Sequence, residues 1–164
     1  MSFQNAYIMS FTSGGLCLHE SLILARSFLD LGDWPLARKH VLAKNLFQAR
    51  MASSAKRTVS EVLPRLQRLS NEELTFFISA GEQDQRHLLW LAICRRHRFI
   101  ADFMTEVVHD RYVRLKDAVG AEEFNLFWMQ KSVTHPEIER ISDSTKEKLR
   151  TVLIKMMREA GIIS

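Results

Sequence analysis

The sequence predicts an all-α protein. Apolar residues recur at three- and four-residue spacings along most of the chain, four glycines fall just past such stretches, and alternating strand patterns are nearly absent. Gly32, Gly81, Gly120 and Gly161 each follow a helical pattern, where a left-handed cap suits a residue without Cβ. The chain has 164 residues, 46% hydrophobic and 26% charged, the composition of a folded globular protein rather than a disordered one. It suits one domain over 1–164, or two lobes of about 1–81 and 82–164 that share a core.

Seven or eight helices account for the periodicity. The stretch AYIMSF at 6–11 reads as a short extended arm. A first helix over 16–31 places Leu18, Leu22, Ala25 and Leu29 on one face. Asp33 is a good N-cap for a second, which tolerates Pro35 in its first turn and runs to about Asn45. A third covers about 54–69, with Val59, Val62, Leu63, Leu66 and Leu69 as its buried stripe and Pro64 as a kink point. Ser70 and Glu73 form a capping box for a fourth. One bent helix or two fill Gln83 to Ala118, and another spans 121–132. Pro136 opens a short turn. Ser144 and Glu147 are expected to box the start of a last helix, which reaches Ala160 and buries Leu149, Val152, Leu153 and Met156.

Catalytic patterns are missing. SFTSGGL lacks the lysine and spacing of a phosphate-binding Walker loop, and LHESL lacks the second histidine of a zinc-protease helix. His87, His97 and His109 share no helical face and have no carboxylate or thiolate cluster beside them, so they read as surface or interfacial residues rather than metal ligands. Ser53 and Ser54 sit in no nucleophile elbow and are explained as helix caps. Glu122 and Glu123 fit the first turn of a helix through its dipole. Phe124, Phe127 and Trp128 read as core. Cys17 and Cys94 are isolated, as buried thiols in a reducing compartment would be. The reading is non-enzymatic, with no cofactor, metal or small-molecule substrate. HLLWLAIC and similar runs are too short to span a bilayer and no basic-then-apolar leader opens the chain, so a cytoplasmic location without membrane partners is expected.

The charge distribution is more informative than the net charge of +4. From Leu36 to Leu69 stand eight basic residues, Arg38, Lys39, Lys44, Arg50, Lys56, Arg57, Arg65 and Arg68, against the single acid Glu61. On the third helix Arg57, Glu61, Arg65 and Arg68 are expected to lie opposite the apolar stripe. That face is either plain solvated surface, a protein-docking face, or the last helix of a helix-turn-helix-like element whose start offers cations and N–H groups to phosphates. A second cluster is Arg95, Arg96 and Arg98, one of which can turn toward Asp102. A third, Lys146, Lys148 and Arg150, opposes the dipole at the start of the last helix. The starts near Ser54 and Ser144 are expected to converge into one cradle for a polyanion.

The blocks SFTSGGL, LARSFLDLGDW, NLFQARMASSAKR, LLWLAICRRHRFIADFMTEVV and STKEKLRTVLIKMMREAGII resemble, in the same order, the BrxA family, the small helical subunit of bacteriophage-exclusion (BREX) defence systems. The resemblance runs from about Ser10 to Ser164. It implies a fold likened to the antitermination factor NusB, no catalysis, binding to double-stranded DNA, contact with other BREX proteins, and a further C-terminal segment in family members. QARMASSAKR places Arg50, Ser54, Lys56 and Arg57 in the family's most recognisable basic segment, and STKEKLR places Thr145, Lys146 and Arg150 in another. Charge and helix geometry add Arg65, completing a candidate DNA-binding set of Arg50, Ser54, Lys56, Arg57, Arg65, Lys146 and Arg150. A protein-docking scaffold and an RNA-binding NusB-like protein are the alternatives.

Overall fold

A computed structural model describes residues 6–116 and 119–164, and among these every regular element is helical. The order is α1 (Leu18–Leu31), α2 (Trp34–Ala43), α3 (Ala52–Leu66), α4 (Asn71–Ser79), α5 (Glu82–Arg96), α6 (Arg98–Phe103), a π-helical stretch (Met104–Val108), α7 (His109–Val113), α8 (Ala121–Ser132), α9 (Pro136–Glu139) and α10 (Asp143–Glu159). The chain divides into two compact units, one of residues 16–92 and one that combines residues 93–164 with residues 6–15.

In the first unit α1 packs against α2, α3 and α4. Its core holds Leu24, Ala25, Ala37, Val41, Val59, Val62, Leu66 and Phe77, all essentially without solvent exposure. Each branched side chain so placed contributes about 1.5–3 kcal/mol by leaving water. Asp33 caps α2 as expected, accepting the Leu36 N–H at 2.9 Å. Ser70 and Glu73 close the capping box of α4 in both directions, at 2.9 and 3.1 Å. Helix α3 continues through Pro64 and stops at Leu66, short of the periodic pattern. Leu69 is still buried, in the turn beyond the helix end.

The second unit is built on aromatic rings. Phe99 sits at its centre, edge-on to Phe127 at 5.1 Å and to Trp128 at 5.8 Å. Phe103 and Phe124 extend the cluster. The run read as reaching Ala118 breaks at His97, which N-caps α6. Beyond it lies the π-helical stretch, and residues 117–118 are outside the described ones. Two ion pairs of 2.8 Å lace this segment to α8, Arg111 to Glu123 and Lys131 to Glu106. Glu123 also accepts the Gly120 N–H at 2.8 Å. That backbone bond comes first among the causes, aided by Arg111, that hold its carboxyl below the ordinary range. Helix α10 starts two residues earlier than read: Ser142, not Ser144, is its cap, accepting the Thr145 N–H at 3.3 Å.

The arm has no regular secondary structure, and it completes this core. Phe11 is fully buried and Tyr7 nearly so. Tyr7 meets Phe99 edge-on at 5.4 Å and stacks on His135 at 4.0 Å. Its hydroxyl donates to Asp102 and its backbone N–H donates to Glu137 at 2.9 Å. Burial, then the Asp102 hydrogen bond, push the Tyr7 phenol well above its usual range. His97 is a core residue rather than a surface one, with Nδ1 3.4 Å from the Ile8 carbonyl and its ring edge-on to Phe11.

Glu137 makes the arm's attachment sensitive to acid. Burial would raise its carboxyl, but hydrogen bonds from the Tyr7 and Glu137 N–H groups and from His135 outweigh it and hold the group below the ordinary 4.5. A depressed folded-state value means the stabilisation is complete above the unfolded value and disappears as pH falls through the folded one. Thermal melts on the acid side should therefore show the wild type losing stability below about pH 4.5 more steeply than Glu137→Gln, which is less stable near neutrality and flatter in acid.

Candidate nucleic-acid interface

The connection from α2 to α3 is a fixed turn, not a slack loop. Asn45 and Gln48 both adopt positive φ, 46° and 56°, a region asparagine tolerates better than most residues. The Asn45 carboxamide spans the turn, donating to the Ala49 carbonyl at 3.1 Å and accepting the Ala49 N–H at 3.0 Å. The Gln48 N–H donates to the Asn45 carbonyl at 2.9 Å. This clamp delivers Arg50 and the first turn of α3 to the surface.

Helix α3 begins at Ala52 with Met51 as its N-cap, and no side chain caps it. Ser53 and Ser54, read as caps, lie inside the first turn instead. The Met51 carbonyl accepts the N–H groups of Ser54 and Ala55 at 3.2 and 3.3 Å. Those of Ala52 and Ser53, on exposed residues, face solvent as the leading donors of an uncapped helix do. A shallow cavity of about 270 Å³ lies between the end of α2 and this start, with Asn45, Ala49, Arg50, Ala55 and Lys56 on its wall.

Arg50, Lys56 and Arg57 are all exposed and form no ion pair among the described residues. Arg38, Lys39 and Lys44 are exposed on α2 and at its end. The one acid of the segment, Glu61, lies 3.9 Å from Arg65. The positive charge of the turn is thus not neutralised from within its own segment.

Arg65 departs from the sequence reading. It is completely buried, and its guanidinium donates to the Leu16 carbonyl at 3.3 Å, so no duplex can reach it. It directly precedes Leu66 and sits on the flank of the apolar stripe rather than opposite it. Its long aliphatic stem follows that stripe inward while the charged end finds a carbonyl and a carboxylate. Arg57 and Arg68 do remain on the exposed side.

The start of α10 belongs to the other unit and has a different character. Lys146 is half-buried, its Nζ 5.6 Å above the Trp128 ring. Arg150 is 3.6 Å from Glu147. Both cations share a cavity of about 320 Å³ with Asp143, Glu147 and Asn125, so acids and bases alternate there and the local field on a phosphate is weak. Thr145 spends its backbone N–H and receives a hydroxyl bond within the Ser142 cap. Of the second cluster, Arg98 lies 3.8 Å from Asp102. Asn45 and the buried role of Arg65 are the site features that periodicity missed. The asparagine between a helix end and a basic run is the one signal that pointed to a left-handed turn.

Fold and turn together define an all-helical protein that presents a clamped cationic helix start to its surroundings. Residues 5–164 match the model of the BrxA family, and the chain belongs to that family. It is 27% identical over 158 residues to the BREX protein BrxA of Escherichia coli O9:H4 (strain HS), across 96% of this chain and 74% of that protein. It is 25% identical over 144 residues to the BREX protein BrxA of Bacillus cereus (strain H3081.97), across 87% and 70%. The crystal structure of an uncharacterized protein from Magnetospirillum magneticum has the same fold, with a TM-score of 0.79 at 22% identity over 94% of this chain and 79% of that one.

Burying Arg65 is costly unless its partners stay in place. Arg65→Ala should lose about 3 kcal/mol or more in urea denaturation, whereas Arg65→Met, which keeps the stem and drops the charge, should recover most of that loss. Both outcomes are those of a structural residue and not of a surface contact.

Proposed function

We propose that this chain is a non-catalytic accessory subunit of a BREX phage-defence system that binds duplex DNA through the turn at Arg50 and the first turn of α3. One observation carries the reading: Arg50, Lys56 and Arg57 are exposed and unneutralised around a clamped, uncapped helix start whose other residues, Ala52, Ser53 and Ser54, are small enough for a phosphate backbone to approach. Cations and leading N–H groups position a protein on the phosphates without reading sequence. The binding is therefore to backbone shape, and it takes place in the cytoplasm beside other BREX proteins. No helix among the described residues is long and apolar enough to cross a membrane. Lys146 and Arg150 play at most a secondary part, given the acids around them.

A protein-docking role is favoured by a separate feature. Leu126 and Met129 on α8 and Val133 just past its end are 55%, 63% and 83% exposed. This apolar group suits contact with another component of the system and is compatible with DNA binding elsewhere on the chain.

Fluorescence anisotropy with a random-sequence duplex at two salt concentrations tests the proposal. Each phosphate neutralised lowers affinity by about 0.9 log unit per tenfold rise in salt. Lys56→Ala with Arg57→Ala should weaken binding to unrelated duplexes alike and flatten the salt slope by roughly 1.8. A double variant that binds like the wild type, or a wild-type chain that prefers structured RNA in competition, would remove this function from the turn.

A further inference from the structure

The arm belongs to a unit from which it is separated in sequence by all of residues 16–92. Its seat is made wholly of later residues: Phe99, Asp102, His135 and Glu137 around Tyr7, His97 against Ile8 and Phe11, and Lys155, which donates to the Gly14 carbonyl at 3.4 Å. The seat selects an extended segment with aromatic residues four apart, a phenol on the first, and a free backbone N–H beside it. None of these contacts depends on which copy of the chain supplies the segment.

The connection that holds the arm in place is strained. Gly14 has a φ of 80°, and three residues later Cys17, which has a Cβ, is held at φ 55° and ψ 49°. The left-handed region costs such a residue about 1–2 kcal/mol. Straightening this connection relieves that cost, and short hinges under strain are the ones that favour exchange of a terminal element between copies.

We propose that the seat of the arm is a docking site for the same arm of a second copy, so that two chains trade residues 6–15 and form a dimer. The arm's contacts are equal in both forms, so the hinge and the protein concentration set the balance. The inference is independent of DNA binding.

Full-length chains carrying two different affinity tags, mixed at high concentration and then diluted, test it through co-capture and molar mass in solution. The wild type should give mixed dimers whose fraction rises with concentration. Cys17→Gly keeps arm and seat intact and removes the left-handed cost from the closed form. It should weaken dimerisation about tenfold or more, since each dimer contains two hinges. Tyr7→Ala removes the same contacts from both forms, so it should leave the ratio of dimer to closed monomer nearly unchanged, unlike Cys17→Gly. A chain that stays monomeric throughout, or a dimer unmoved by Cys17→Gly, overturns the proposal.

Discussion

The candidate surface depends on a guanidinium that never reaches solvent. Arg65 ties the last turn of α3 to the Leu16 carbonyl, where the chain is about to enter α1. Together with the burial of Val59, Val62 and Leu66, that bond fixes which side of α3 faces inward. The first turn of the same helix lies about 15–20 Å away along the axis and is held from the other direction by the Asn45 clamp. A helix secured at its base and steered at its tip can carry uncompensated cations at that tip without collapsing onto them. Charge in this segment is thus sorted by depth: one arginine serves the fold, and Arg50, Lys56 and Arg57 are left for something outside it.

The second unit solves a different problem. Its ring cluster around Phe99 needs Tyr7 and Phe11 from the far end of the sequence to be complete. The acid that receives the Tyr7 N–H is tuned by that attachment, since Glu137 is depressed in large part by the arm's own N–H. Acid sensitivity and the seating of the arm are therefore one property seen twice. Cys94 lies nearby in sequence as a free thiol whose ionisation burial pushes up to about 12; it and Cys17 are half-buried rather than fully buried as their isolation in the sequence suggested.

Much of the fold was legible because local rules and tertiary packing agree over most of the chain. Asp33, Ser70 with Glu73, and Gly32 mark helix ends by chemistry that operates within four residues, and each is where the structure ends or starts a helix. Where two cap-type residues stood close together, the reading erred: Ser142 precedes Ser144 by two residues, and it is the Ser142 hydroxyl that accepts the Thr145 N–H. Arg65 was misplaced for a different reason. A helical wheel assigns a charged residue on the flank of a stripe to the outside, and only the presence of the Leu16 carbonyl, from the segment before α1, decides otherwise. The clamp by Asn45 and the arm's seat rest on contacts that periodicity does not encode, the first a local left-handed turn and the second a pairing across more than ninety positions, from Tyr7 to Asp102 and Glu137.

Membership of the BrxA family covers nearly the whole chain, while the proposed placement of a polyanion on the α3 start rests on exposure and charge alone. Amide hydrogen exchange of the full chain with and without duplex DNA tests that placement most directly. Protection gained at residues 49–57, with the α10 start at 143–150 little changed, is the result that physical sorting of the cations predicts. Protection that appears at 143–150 while 49–57 exchanges as in the free protein would contradict it.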